Sequence, residues 1–311
     1  MSISLLRRHL VGSALAVGFV LCGAPWGTGQ TASAQEQTLF MAFTDVDGAP
    51  VRDMTADEIV IQWDEVPCEI LEIEPLDWPM RVTVFVDNAT ESHAAMPDMR
   101  EGLRLFLNRL PPDIEVAIAT IGRRPQFLIQ HTTDRAELAD ALGGVISEGG
   151  AATFFDALYE EAERLDEDRE PQYLPAIVMV AIGGSEGSLR TGDEVINTLM
   201  DRLYDNGAVV YTALFSAPYG VGGVRGRGQS RWGTDLAAAT RGRYEEVVVP
   251  TRYRTILPEF AADIARRHRL VRYQYRVTYR PPEDASDQPR VQAGTTRTGL
   301  VTLATDNGNI P

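Results

Sequence analysis

Between residues 80 and 268 the chain alternates two hydrophobic patterns. Continuous apolar runs at 81–86, 114–121, 176–182 and 208–214 read as strands buried on both faces. Shorter runs at 126–130 and 244–249 supply two more strands. Helical spacing appears between them: Met99, Leu103, Phe106, Leu107 and Leu110 fall on one face of a helix over 97–109. Further helices are expected over 134–142, 154–165, 193–204 and 253–268. Asn206 and Gly207 form a stop signal after the fourth, because glycine accepts the left-handed conformation that ends a helix. Strands alternating with helices build βαβ units. The expected fold class is therefore α/β, with a mainly parallel central sheet and helices on both faces.

The flanks read as β structure. Strands are expected at 38–43, 59–63 and 68–73. Asp45, Asp47 and Gly48 mark a turn, and Thr55 with Glu58 resembles a capping box opening a short helical turn. From Val271 to Tyr279 apolar and polar residues alternate, so Val271, Tyr273, Tyr275, Val277 and Tyr279 would share one face of a strand ended by Pro281 and Pro282. Residues 290–293 and 300–304 supply further strands, and the tail from Asp306 is expected to be loose. Trp63 and Trp78 are read as core or inter-domain packing residues rather than exposed partner anchors. The expected organisation is a leader at 1–34, an N-terminal β-rich segment at 35–78, an α/β domain at 79–269 and a C-terminal β segment with tail at 270–311.

The leader follows the secretory pattern. Arg7 and Arg8 precede an apolar run over 10–21, and Ala32, Ser33 and Ala34 offer a small-residue cleavage site before Gln35. The apolar run breaks at Gly23 and Pro25, short of a full membrane span. A periplasmic or secreted location is expected, with no membrane span after cleavage. Losing the two arginines would move the formal net charge from -15 to -17. So acidic a chain is repelled by nucleic acid and anionic lipid. Only Cys68 would remain, excluding an intrachain disulfide and a cysteine-rich zinc site; Cys68 is expected to pack as a small hydrophobe.

The run over 81–86 delivers Asp87 to the C-terminal edge of the sheet, where ligands bind in open α/β folds. Asp87 and the residues after it resemble the first motif of the von Willebrand factor A (VWA) family, in which Asp-x-Ser-x-Ser opens a metal-ion-dependent adhesion site. More of the chain resembles bacterial secreted VWA-related proteins: the segment from Asp45 to Ile59, the loop from Gly149 to Leu158, the passage from Asp235 to Tyr244, and the closing segment from Gln274 to Pro282. The resemblance implies a Rossmann-like VWA fold and a role in protein binding or assembly without catalysis. It also implies a metal site from which this chain departs. Ala89 and Glu91 stand where the two serines would be, Ala151 and Ala152 follow Gly149 and Gly150 where a threonine is expected, and Ile182 and Gly183 occupy the third loop's aspartate region. Alanine offers no oxygen to a cation. The expectation is a lost metal site with no cofactor, Asp87 instead accepting hydrogen bonds from backbone N–H groups. The competing arrangement is a rebuilt site for Mg²⁺ or another divalent cation, using Asp87, Glu91, Thr153 and Glu186.

Two other motifs carry alternatives. Gly183, Ser185 and Gly187 match the Gly-x-Ser-x-Gly nucleophile elbow after a strand, but the following helix is delayed and His268 is the only later histidine. A serine hydrolase built on Ser185 is therefore a remote alternative, and His268 reads as a cationic group at a helix end. His93 and His131 read as loop residues without metal-ligand spacing. The Gly-rich stretch over 217–232 lacks a phosphate-binding fingerprint. It reads either as a mobile surface loop or as a partner-binding loop with Arg225, Arg227, Arg231 and Trp232 as anchors.

Overall fold

The computed structural model describes residues 36–167, 173–216, 227–283, 286 and 289–310. The chain enters through strands β1 (Gln37–Thr44), β2 (Ile59–Trp63), β3 (Val66–Pro67) and β4 (Glu69–Pro75). The α/β portion opens with β5 (Met80–Val86), α1 (Met96–Arg109), β6 (Glu115–Thr120), β7 (Gln126–Thr132) and α2 (Arg135–Gly143). It continues through α3 (Phe154–Glu167), β8 (Leu174–Ile182), α4 (Asp193–Asp205), β9 (Val209–Phe215), α5 (Arg227–Ala239), β10 (Arg243–Val247) and α6 (Tyr253–Val271). Strands β11 (Tyr275–Arg280), β12 (Val291–Thr295) and β13 (Val301–Thr305) follow.

The central sheet has the order β10-β9-β8-β5-β6-β7. Its neighbours run parallel except for the edge strand β7, which returns antiparallel beside β6. The chain builds outward from β5 to β7, then crosses back to lay β8 on the other side of β5. That reversal leaves a crevice at the C-terminal ends of β5 and β8. Alternating side chains of β5 serve two cores. Val82, Val84 and Val86 pack with residues of α1 and α6, while Phe85 packs with residues of α3, α4 and α5. Every residue of β8 is buried, the pattern of a central strand covered on both faces.

The terminal segments pair with each other. Strands β13-β1-β11-β4 form one antiparallel sheet and β12-β2-β3 a smaller one. They share a third core containing Met41, Phe43, Ile61, Trp63, Tyr275, Val277 and Tyr279. Trp78 packs against the first core, tilted against Phe40 at 5.7 Å between ring centroids. The expected α/β class, with a mainly parallel sheet, helices on both faces and flanking β segments, is the fold observed.

Three local expectations are corrected. Helix α6 runs to Val271, so Val271 and Tyr273 lie outside the strand that carries Tyr275, Val277 and Tyr279. Burial of Leu257, Phe260, Ala261, Ile264 and Val271 in the first core extends the helical period past the point where alternation begins. His131 lies on β7 rather than in a loop. Its Nε2 is 3.0 Å from the Thr83 hydroxyl, which donates to Glu161 at 2.6 Å. Burial, with Arg81 and Arg164 nearby, pushes His131 down to about 4. His268 sits in the last turn of α6, as expected, but is buried there: its Nδ1 accepts from the Met80 N–H and its Nε2 faces Asp113, both at 3.1 Å. The tail from Asp306 is not loose, since Asn309 and Ile310 are buried.

Gly242 fixes the passage from α5 into β10. A Cβ added there would lie 1.8 Å from the carbonyl oxygen of Val210 on β9. Gly242→Ala is expected to destabilise the protein by about 3 kcal/mol or more, since backbone blocks relief of the clash. Gly143→Ala, with nothing within 4 Å of the added Cβ at the end of α2, is expected to be neutral or to stabilise by about 0.5–1 kcal/mol. Urea unfolding of the two variants checks the contrast.

Candidate functional site

The crevice at the switch point is closed by loops after β5, β6, α2 and β8, joined by the first turn of α5. Asp87 follows β5 directly, and its N–H continues the ladder to Val180 at 2.9 Å. Its side chain turns into the crevice and is 1% exposed. Oδ1 accepts from the Ala89 N–H at 2.8 Å, and Oδ2 accepts from the Ile182 N–H at 3.0 Å. The carboxylate thus binds its own loop to the end of β8, as expected for an aspartate held by backbone N–H groups. Burial, with Glu91 and Glu186 nearby and against the two N–H bonds, pushes Asp87 up to about 6.

Asn88 ties in the other two loops. Its Oδ1 accepts from Gly122 at 2.7 Å, and its Nδ2 donates to the carbonyl of Ile146 at 3.0 Å. Ala89 is buried where the metal motif has a serine. The Ser92 hydroxyl donates to the Ala89 carbonyl at 2.8 Å, and the Glu91 carboxylate accepts a long bond of 3.4 Å from the Ser185 N–H. Thr153 is buried, and its hydroxyl donates to the Ile121 carbonyl at 2.8 Å.

Glu186 caps α3 from outside the helix. Its Oε1 accepts from Phe154 at 3.1 Å and from Ser188 at 3.0 Å. Ser188 adds to the cap, its hydroxyl accepting from the Phe155 and Asp156 N–H groups at 3.0 Å each. Orphan N–H groups of a helix start are thereby satisfied. Asp156 returns the contact by accepting from Leu189 at 2.9 Å and Arg190 at 3.2 Å. Burial raises the Glu186 carboxyl above its ordinary range. Gln229 of α5 completes the set: it donates to Glu186 Oε2 at 2.8 Å and accepts from Gly184 at 3.1 Å.

The four residues of the rebuilt cation arrangement therefore lie around one crevice, with Asp87, Thr153 and Glu186 each engaged by protein partners. Among the described residues, no group of three His, Cys, Asp or Glu side chains is placed to share an ion. Ser185 lies beyond the C-terminal end of β8, whereas His268 contacts Met80 at the start of β5, so the two stand at opposite ends of the sheet. Of the anchor candidates, Arg225 lies outside the described residues. Arg227 begins α5, so the loop expected through residue 232 ends earlier. Trp232 is corrected from an exposed anchor to a packed residue: it is 8% exposed and belongs to the second core, because its helical position turns it toward Leu236 and the sheet. Arg231 is exposed, 3.9 Å from Asp235 and over the Trp232 ring. Sequence reading missed Asn88, Ser188 and Gln229. Asn88 was legible as Asp87's neighbour, but nothing in the linear sequence signals that Gln229 reaches the crevice.

Exposed apolar residues surround the knot of loops. Ile146 is 62% exposed beside Asn88, and Leu189 is 93% exposed beside the α3 cap.

No protein-family model matches the chain, and no curated protein matches its sequence. Similar solved structures include a von Willebrand factor type A protein from Catenulispora acidiphila, with 11% identity and a TM-score of 0.49 over 76% of this chain and 52% of that one. The chain thus spans about half the length of that protein. Another is BatB from Bacteroides thetaiotaomicron, with 13% identity and a TM-score of 0.46 over 60% of this chain and 98% of that one. A third is the manganese-loaded TRAP protein of Plasmodium vivax, with 12% identity and a TM-score of 0.44 over 76% and 82% of the two chains. The fold itself is established by this chain's own strand order and connectivity.

The raised Asp87 carboxyl sets a pH dependence. The folded protein holds its proton up to about pH 6, while the unfolded chain releases it near 3.8. The stabilising contribution is full below 3.8 and is lost as pH rises through about 6. Relative to Asp87→Asn, the parent protein is therefore expected to lose about 2 kcal/mol between pH 4 and pH 7. Denaturant unfolding of both proteins across that range reads the difference, and a constant difference contradicts it.

Proposed function

We propose that this chain is a non-enzymatic, extracytoplasmic protein-binding module of VWA-like fold whose rim works without a divalent cation. One observation carries the reading: the oxygens that would face an ion are already engaged inside the protein. Asp87 accepts from Ala89 and Ile182, the Thr153 hydroxyl donates to Ile121, and both Glu186 oxygens accept from protein donors. Mg²⁺ demands near-octahedral oxygen coordination and tolerates little distortion. With Ala89 buried in a ligand position, these residues do not fit that ion. Hydrogen bonds take over the cation's role of joining the loops. Recognition then falls to shape and exposed side chains, of which Leu189 and Ile146 are the most prominent on this rim. The periplasmic or secreted location is inferred from the leader composition and the acidic charge.

A second reading has one observation in its favour. Glu91 and Glu186 both act electrostatically on Asp87, and a cation entering among the three would relieve that repulsion. It would require Glu186 to release the start of α3.

Calorimetric titration with Mg²⁺, Mn²⁺ and Ca²⁺ separates the readings. No saturable heat is expected, whereas saturable binding abolished by Asp87→Ala would establish the second. The binding face is tested separately. The chain contains no lysine, so a photo-crosslinking residue is placed at Leu189 and, as control, at Val46, an exposed residue of the N-terminal turn. In the envelope fraction a discrete adduct is expected from position 189 and none from 46. Equal labelling at both positions would remove the rim from the account.

A further inference from the structure

At the opposite end of the sheet the chain's own residues 306–310 pack against the α/β portion. Residues 306–310 lie against a groove formed by the end of α4, the start of β9, the turn after α5 and the middle of α6, and the contacts read the tail residue by residue. The Tyr204 hydroxyl donates to Asp306 Oδ1 at 2.6 Å, and the Tyr204 carbonyl accepts from Asn307 Nδ2 at 2.7 Å. Asn309 makes the densest set. Its Nδ2 donates to the Thr240 carbonyl at 2.9 Å and the Ala208 carbonyl at 3.3 Å, while its Oδ1 accepts from Arg267 Nη1 at 3.0 Å. Its own carbonyl accepts from Arg241 Nη1 at 2.9 Å. Arg267 Nη1 also donates to the Ile310 carbonyl at 3.1 Å, and the Ile310 side chain is buried in the first core. Gly207, at φ +65°, permits the close approach: a Cβ there would lie 2.6 Å from the carbonyl oxygen of Asn307.

Contacts outside the tail also hold the groove. Arg267 is buried, and besides the tail it donates to Asp263 at 3.1 Å and to the Arg241 carbonyl at 2.5 Å. Asp263 is fixed independently by the Tyr211 hydroxyl at 2.5 Å and by Arg266 at 2.9 Å. The guanidinium therefore stays paired, which avoids the cost of an uncompensated buried charge. Gly207 is held by its own N–H bond to Tyr204 at 2.9 Å. The carbonyls of Ala208 and Thr240, which accept from Asn309 here, would accept equally from another chain that offers an amide at the same place.

We propose that this groove is a preformed peptide-recognition site, selective for an asparagine followed by a buried aliphatic residue, and occupied in cis by the chain's own residues 306–310. The tail acts as a strap. It continues from β13 of the flanking sheet and buries Ile310 in the first core, so its docking ties the two parts together. Its hold consists of side-chain hydrogen bonds and one apolar anchor, with no strand pairing to the groove among the described residues, so releasing it breaks no ladder of the central sheet.

The test uses the full chain carrying Asn309→Ala and Ile310→Asp, changes confined to the strap. The probe is a fluorescein-labelled synthetic peptide of residues 304–310. Fluorescence anisotropy is expected to show no binding to the parent protein, whose groove is filled, and saturable binding to the strap variant. The same peptide with Asn309→Ala is expected to bind at least about tenfold more weakly, the loss that follows from removing the asparagine's bonds. Three results overturn the proposal: a cooperatively folded strap variant that ignores the peptide, equal binding by parent and variant, or loss of cooperative unfolding in the strap variant, which would make the tail an inseparable part of the core.

Discussion

A carboxylate buried at the end of a parallel strand has to be satisfied, and at Asp87 two backbone N–H groups do it. One comes from Asp87's own loop at Ala89 and the other from Ile182 at the end of β8. The second bond is the consequential one, because β5 and β8 flank the point where the sheet reverses its direction of growth. An open α/β sheet leaves a crevice there. In this protein a single side chain spans it. The neighbouring residues extend the same solution, with Asn88 reaching the loops after β6 and α2, Glu186 reaching α3 and Gln229 reaching from α5.

In the proposed reading that network leaves the rim little to offer as an ion site. Oxygen atoms that would bind a cation are acceptors for N–H groups or donors to carbonyls, and the energetic cost of exposing those partners opposes any rearrangement. What remains outward is apolar and shaped by the loops: Leu189 stands beside the cap of α3, and Ile146 beside the anchor of Asn88. The proposed protein partner fits such a surface, because isolated aliphatic groups contribute to binding only when a complementary surface excludes water from them.

The central fold was legible because its strands are buried on both faces and its helices on one. Continuous apolar runs such as 176–182 and the spacing of Met99, Leu103 and Phe106 leave few alternatives. Asp87 was legible for the same reason, since it ends such a run. Legibility failed where tertiary contacts override a local pattern. From Val271 onward the sequence alternates like a strand, yet burial against the first core holds Val271 in α6. The tail is polar and Gly-containing, which locally reads as loose, but Asn309 finds acceptors more than sixty residues away in sequence. Gln229 and Trp232 belong to a Gly-rich stretch, and only the helix that forms there turns one toward Glu186 and the other into the second core.

The central claim is that protein hydrogen bonds, and no cation, hold the crevice closed. Its most direct test is a ¹³C NMR titration of the Asp87 carboxyl, run with and without millimolar Mg²⁺ and Ca²⁺. The account predicts a midpoint raised to about 6 that neither ion moves. A midpoint below the ordinary carboxylate range, or one that falls when either ion is added, would contradict it.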